Sequence, residues 1–438
     1  MSLRDGMTPK MKPVPPRRAA IVAALDIGTS KAVCLIARLK PQSPQEVLRR
    51  RSHCVEILGL GHTEARGMKG GAVVNLAEAE ETVRRAVDLA EHDASVQLES
   101  VVVSVSSGRL ASELFAARVN VAGSTISDGD IARVLAAGSR HSVRDGSVVL
   151  HSLPIGYALD GVRGIGEPRG MLAKEFGVDM HVVTADVAAA RNLMLVVERC
   201  HLAVETMVAA PYVAGLSVLA DDEADLGAAL IDMGAGTTTT AVFSSGRFIN
   251  ADGFALGGNH VTMDLARGLN TRIAEAERMK TLHGSVLGGV SDERDMITVP
   301  PVGDERGEPP QFVSRAALTR IIKPRVEEIL EMVRDRLAGS PFSAEPRAHV
   351  ILTGGASQLT GLPELAAHIL NRPVRIGRPL GISGLPDAAK GPAFAVAAGL
   401  LVYPQAAHLE HFEPRRTRHL MTGTGYIARV GRWLRESF

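Results

Sequence analysis

The sequence predicts an α/β protein of two related lobes facing each other across a cleft. A small α+β module is inserted in the first lobe, and an amphipathic helix closes the chain. Three observations carry this prediction. First, AALDIGTSKAVCLI (23–36) and ALIDMGAGTTTTAV (229–242) share one design: an apolar strand, an Asp, one apolar residue, a glycine turn with small hydroxyl residues, and a second strand. Asp26 and Asp232 hold the same place in each. Second, a further glycine turn, LTGGASQLTGL (352–362), follows another apolar strand. Third, 438 residues suffice for two lobes with insertions at about 150 residues per domain.

The elements follow in order. Residues 1–19 are basic and Pro-rich and read as a disordered tail. From Ala20 an apolar, β-rich run is broken by Asp-Ile-Gly-Thr-Ser, giving strand, tight turn and strand. Residues 41–52 read as a polar loop and VEILGLG (55–61) as a strand. Asn75, with Glu78 three residues on, caps a helix whose apolar residues (Leu76, Ala79, Val83, Ala86, Val87, Ala90) recur at helical spacing. VVVSVSS (101–107) is a buried strand. Residues 107–184 alternate short strands with one helix opened by Ser127 and form the inserted module. Two helices around the strand-like VETMVAA follow, and then strand, turn, strand, turn, strand over 226–258. Helices are expected at 259–282, 314–338 and 391–402, with a Pro- and Gly-rich surface loop at 301–310. Residues 404–424 read as a polar linker.

Composition sets limits. Hydrophobic residues make up 45% and charged residues 22%, enough apolar material for large cores. Net charge is 49 − 48 = +1, which argues against a nucleic-acid partner. Residues 1–20 carry +4 and residues 415–438 carry +5, so the body is +1 − 4 − 5 = −8. Basic ends on an acidic body point to an anionic surface. The three cysteines (Cys34, Cys54, Cys200) are far apart, with no CxxC metal site, and fit a reducing cytoplasm. No signal peptide is read at the N-terminus, and no apolar run is read as reaching the ~18 residues a spanning helix needs.

Two matched hairpins suit a polyphosphate gripped from both sides. Glycine lets backbone N–H groups approach phosphate oxygens, and Thr and Ser add compact donors. The candidate nucleotide set is Asp26, Gly28, Thr29, Ser30 and Lys31 from the first hairpin, and Asp232, Gly234, Gly236, Thr237 and Thr238 from the second. Gly257, Gly258, Gly354, Gly355 and Ala356 join it. Gly354 and Gly355 are expected to lie flat beneath an adenosine, where a Cβ would clash. Asp26 and Asp232 would hold Mg2+ through its waters, and Lys31 would offer a point charge. Either hairpin alone also reads as an ordinary tight turn. Glu277 and Lys280, at i and i+3, share a helix face and are expected to reach ribose and base, or else form a solvated pair. No GxxxxGK[ST], HExxH or CxxC motif is present.

Together these residues resemble the actin/DnaK/sugar-kinase superfamily. Within it the chain is similar to the FtsA family of bacterial cell-division proteins over roughly residues 20–438. LDIGTSK, RGMKGG (66–71), VLHSLPIGYALDG (149–161), VVERCHLAVE (196–205), LIDMGAGTTTTAV, IIKPR (321–325), VILTGGASQLTGL and PVRIGRPLGISGL (373–385) carry the resemblance, with the terminal GRWLRESF. It implies an actin-like ATPase fold of duplicated ribonuclease-H-like lobes. Subdomain 1A would be residues 20–106 plus 185–219, and 1C, an SHS2-like insertion, residues 107–184. Subdomain 2A would be residues 220–258 plus 345–403, and 2B residues 259–344. It further implies a protein that binds ATP and Mg2+, polymerises with itself, meets later divisome proteins through 1C, and docks the C-terminal peptide of FtsZ on 2B. Arg315 and Arg325 are the matching candidates for that contact, or else solvated helix arginines. Relatives commonly read Asp-x-Gly-Gly-Gly-Thr-x-Asp in the second hairpin. Ala235 and Thr239 depart from that pattern, so slow or negligible hydrolysis is expected.

Residues 425–438 form the expected membrane-targeting helix. At 100° per residue from Ile427, the residues Val430, Gly431, Leu434 and Phe438 fall within about 60° of one direction. Trp433 and Tyr426 edge that face, and Arg429, Arg432 and Arg435 lie opposite. This pattern suits the cytoplasmic face of an anionic inner membrane, at the midcell division site that the resemblance implies. Docking on the protein's own body is the alternative. Two other functions compete with a membrane adaptor for FtsZ filaments: a PilM-like scaffold of a pilus or secretion machine, and a sugar or acetate kinase. The tail speaks against the first, and the lack of a clear catalytic-base motif against the second.

Overall fold

The computed structural model describes residues 7–41, 48, 50–107, 109–121, 125–139, 144–302, 311–344 and 348–410. The first lobe opens with β1 (Ala20–Ile27), β2 (Lys31–Pro41), β3 (His53–Glu64), a short hairpin of β4 (Met68–Lys69) and β5 (Ala72–Val73), helix α1 (Leu76–Ala94) and β6 (Ser100–Val105). The inserted module holds β7 (Ala111–Asn120), α2 (Asp128–Gly138), β8 (Ser147–Leu159), β9 (Val162–Ile165) and β10 (Glu175–Asp186). The chain returns through α3 (Val187–Arg199), β11 (Ala203–Ala209), α4 (Ala210–Val218) and α5 (Asp221–Leu226). The second lobe holds β12 (Ala228–Met233), β13 (Thr238–Ser244), β14 (Arg247–Phe254), α6 (Gly258–Gly268), α7 (Ile273–His283), β15 (Met296–Val299) and β16 (Gln311–Ser314). It continues with α8 (Arg315–Ala338), β17 (His349–Thr353), α9 (Leu362–Leu370) and β18 (Val374–Ile376). After β19 (Ile382–Ser383) comes helix α10 (Ala395–Ala406), followed by a 3-10 turn (Ala407–Glu410).

The two main sheets share one wiring. The first is ordered β11-β6-β1-β2-β3-β19 and the second β14-β13-β12-β17-β18. In each, an antiparallel meander (β1–β2–β3 or β12–β13–β14) is extended by parallel strands beside its first member. The near-repeat of sequence is therefore a repeat of topology. The module is a separate antiparallel sheet, β7-β10-β8-β9, with α2 packed on it. Helix α2 opens with a capping box between Ser127 and Asp130.

Strand β12 shows why a continuous apolar run folds here as a strand. All six of its residues are buried. Side chains alternate across a strand, so Ala228 and Leu230 enter the core shared with the first lobe. Ala229, Ile231 and Met233 enter the core of the second lobe. Each large side chain so buried contributes roughly 1.5–3 kcal/mol of transfer free energy. Helices α4 and α10 pack together, and almost every residue of each is buried. Their backbones approach closely at Gly399, where a Cβ would overlap the Val213 carbonyl. A third, smaller core fills the module around Ile131, Val134, Phe176 and Val178.

Four expectations need correction. The helix expected at 259–282 is two helices, α6 and α7. Asn270 adopts φ +47°, and the Thr271 hydroxyl donates to the Pro300 carbonyl at 2.6 Å, which ends one helix before the next begins. The last apolar helix starts and ends later than 391–402, and residues 404–410 belong to it and a following 3-10 turn rather than to a polar linker. Residues 7–19 are not a free tail, because Thr8 and Met11 are buried and Val14 packs on the first core. Finally, the stretch Pro392–Glu410 is long and apolar enough to cross a membrane by composition, but it is 78% buried as a core helix.

Candidate functional site

The two equivalent hairpins turn in the same way. Gly28 N–H donates to the Lys31 carbonyl at 2.9 Å, and Gly234 N–H donates to the Thr237 carbonyl at 2.9 Å. Each turn lies directly after the strand whose penultimate residue is its Asp, so the shared topology brings Asp26 and Asp232 to one cleft of about 1150 Å³. The hairpin tips meet: a Cβ on Gly236 would overlap the Thr29 side chain. Gly28, Thr29, Ser30, Lys31, Gly234, Gly236 and Thr237 line this cleft.

The third glycine turn forms its other wall, with Gly354, Gly355 and Ala356 also lining the cleft. Gly354 sits at φ +85°, and a Cβ there would overlap the Met233 backbone and the Asp232 carboxylate. Gly355 differs. A Cβ there would meet only the Ala393 side chain at 3.9 Å, so its need for glycine is not set by the protein around it. Gly354 N–H donates to the Pro392 carbonyl at 3.1 Å, tying the turn to the segment that leads into α10.

On α7, Lys280 Nζ donates to the Gly258 carbonyl at 3.1 Å, to Thr262 Oγ1 at 2.8 Å and to Glu277 Oε2 at 2.6 Å. Glu277, Lys280 and Gly258 all line the cleft. Two expected residues do not. Thr238 alternates to the far side of β13, where its hydroxyl donates to the Leu256 carbonyl at 2.9 Å. Gly257 allows close backbone packing, since a Cβ there would lie 2.5 Å from the Gly234 carbonyl oxygen.

The electrostatics are unusual. Burial, then the neighbouring Asp26, raise the Asp232 carboxyl to about 7, against a smaller opposing effect of Lys31. Removal from water also raises Asp26, although Ser104 Oγ donates to it at 2.6 Å and Lys31 lies near. Lys31 is lowered by burial, against the pull of both carboxylates, and its ammonium lies 3.6 Å above the Phe394 ring. Two facing carboxylates that resist ionisation fit a bound divalent cation, whose charge would reverse that resistance. Among the described residues no three metal-ligating side chains cluster. That donor set suits Mg2+, which keeps most of its waters and takes one or two carboxylates beside phosphate oxygens. Thr239, paired in register with Asp232, is buried, and its hydroxyl has no hydrogen-bond partner among the described residues.

Sequence reasoning missed Ser104, which holds Asp26, and Thr262, which holds Lys280. A lone serine inside the apolar run VVVSV was a usable signal for the first. Nothing local marked the second. On α8, Arg325 Nε donates to Asp264 Oδ2 at 2.6 Å and the guanidinium also pairs with Glu328, while Arg315 lies 3.8 Å from Asp295. Both arginines thus have partners of their own. The expected membrane residues, Tyr426 to Phe438, lie outside the described residues.

Solved structures share this architecture. The PilM–PilN type IV pilus biogenesis complex matches with a TM-score of 0.60 and 17% identity, covering 88% of this chain and 98% of that one. MreB5 of Spiroplasma citri bound to ADP matches with a TM-score of 0.53 and 14% identity, covering 90% and 98%. With its duplicated lobes, facing hairpins and inserted module, the molecule is an actin-like ATPase-fold protein. A family described as "Cell division protein FtsA" matches residues 229–399, and one described as "SHS2 domain inserted in FTSA" matches residues 107–184. The chain is 52% identical over 437 residues to the cell division protein FtsA of Agrobacterium fabrum, covering 98% of each. It is 32% identical over 425 residues to that of Escherichia coli, covering 95% of this chain and 98% of the relative. The chain belongs to the FtsA family of cell division proteins.

Proposed function

We propose that this chain binds ATP with Mg2+ in the interlobe cleft, polymerises, and ties FtsZ filaments to the cytoplasmic face of the inner membrane at the division site. The observation that carries the nucleotide reading is the convergence of two matched glycine hairpins, a third glycine turn and the Asp26–Asp232 pair on one cleft. When bound, Mg2+ would supply charge neutralisation at the phosphates. The chain's own part is to cradle phosphate with the hairpin backbones and Lys31, and to hold ribose and base between α7 and the Gly354 turn. The related MreB5 fold has been solved with ADP and with AMPPNP, which agrees with this reading. Thr239, where an acid is common in relatives, leaves one carboxylate fewer near the phosphates and favours slow or negligible turnover.

Membrane attachment rests on the amphipathic pattern of residues 425–438. One short helix binds weakly, and many copies on a filament bind firmly because each later tail acts at high effective concentration. Subdomain 2B, with Arg315 and Arg325, would receive the acidic-apolar FtsZ peptide after exchanging its internal carboxylate partners. Subdomain 1C would meet the neighbouring subunit and later division proteins.

The test is flotation with anionic vesicles, comparing the full chain with one ending at Pro414, each with and without Mg-ATP. Binding that disappears with the tail and strengthens with nucleotide is the expected result. Equal flotation of both chains, or of neither, removes the anchor role and leaves a PilM-like scaffold as the better reading.

A further inference from the structure

Residues 7–14 join parts of the chain that lie far apart in sequence. Met7 bridges to Val149, and the N–H and hydroxyl of Thr8 both donate to the Val149 carbonyl at 3.1 Å. The Lys10 ammonium donates to the Leu150 carbonyl and to the Glu410 carboxylate. Val14 N–H donates to the Pro404 carbonyl at 3.2 Å. Val149 and Leu150 lie in β8, the strand that runs on into the inserted module. Pro404 and Glu410 lie at the end of α10 and its following turn, beyond which come 438 − 410 = 28 residues that include the amphipathic segment. The segment leading into α10 lines the nucleotide cleft through Pro392 and Ala393.

Glu410 is the hub of this junction. Its side chain is 4% exposed and that of Lys10 17%. Tyr403 donates to Glu410 at 2.8 Å, and His151 Nδ1 lies 2.7 Å away. The Ala209 N–H points at His151 Nε2, 2.9 Å away, so that nitrogen accepts, the ring is neutral, and its proton sits on Nδ1 facing Glu410. Lys10 is therefore the full positive charge that balances Glu410 among the described residues. A buried ion pair adds little net stability over apolar side chains, yet removing one partner is strongly disruptive because the other charge stays buried. Such a pair makes a contact that is either made whole or lost.

We propose that residues 7–14 are a clasp that fixes the inserted module and the foot of the C-terminal segment in one relation, and that freeing Lys10 from Glu410 loosens both together. The consequence for tethering rests on the membrane reading above; the clasp itself does not.

The test is amide hydrogen exchange of the full chain, without vesicles, on the parent, Lys10→Met and Lys10→Met/Glu410→Gln. Lys10→Met is expected to speed exchange at least about tenfold in both 149–153 and 403–410, with the hairpins at 26–31 and 232–238 unchanged. The double variant, with no buried unpaired charge, is expected to return both segments to within about threefold of the parent. Unchanged exchange in either segment of Lys10→Met overturns the proposal, and so does a rise that includes the hairpins. Because no vesicle enters this measurement, failure of the membrane reading shows only in flotation and failure of the clasp only in exchange.

Discussion

Asp232→Asn is expected to make the empty protein more stable at high pH while weakening its hold on Mg-nucleotide. The folded protein raises this carboxyl from its ordinary 3.8 to about 7 through burial and the facing Asp26. A group raised in the folded state binds its proton more tightly there, so the folded state is favoured at low pH and loses stability as pH climbs from about 4 to about 7. Relative to acid pH, where folded and unfolded states both hold the proton, the parent loses about 4 kcal/mol of stability by pH 8, from 1.36 kcal/mol per pH unit, and roughly 1–2 kcal/mol by pH 5, where only the unfolded state has ionised. Asn keeps the shape and cannot ionise, so its advantage over the parent should grow by roughly 2–3 kcal/mol between pH 5 and pH 8. Urea unfolding of nucleotide-free parent and variant at the two pH values measures this, and calorimetry with Mg-ATP measures the loss of binding. An advantage that is the same at both pH values would refute the argument that the cleft resists a charge on Asp232.

Two further outcomes follow from the geometry. Lys280→Met removes the ammonium that joins Gly258, Thr262 and Glu277 at the cleft wall, and should weaken adenine-nucleotide binding about tenfold, roughly the value of one charged hydrogen bond, with little change in thermal unfolding. Gly399→Ala inserts a methyl where α10 meets the Val213 carbonyl of α4, and should destabilise the protein by about 3 kcal/mol as the helices separate, read as a lower unfolding midpoint.

The parts of the fold that were legible in the sequence are local. The hairpins of Asp26 and Asp232 announce themselves because the apolar strands, the Asp and the turn glycine lie within fourteen residues. The caps at Asn75 and Ser127 were legible for the same reason, as each bonds a backbone N–H three residues on. Other features were not local. The break between α6 and α7 depends on Thr271 reaching Pro300, a contact that periodicity in 259–282 does not encode. Thr238 and Gly257 looked like phosphate ligands because they sit in a glycine- and threonine-rich run, yet strand alternation and backbone packing turn them to structural use.

The sequence by itself determined the two-lobed α/β plan, the inserted module, and the residue types that face the cleft, because apolar periodicity and turn chemistry act over a few residues. Only the tertiary structure decided that Asp26 and Asp232 are buried deeply enough to resist ionisation, that Ser104 and Thr262 hold the cleft's polar groups, and that Lys10 closes on Glu410, 400 residues away. Burial and charge pairing depend on which distant segments come to lie side by side, so the same lysine that reads as part of a free basic tail becomes half of a partly buried ion pair.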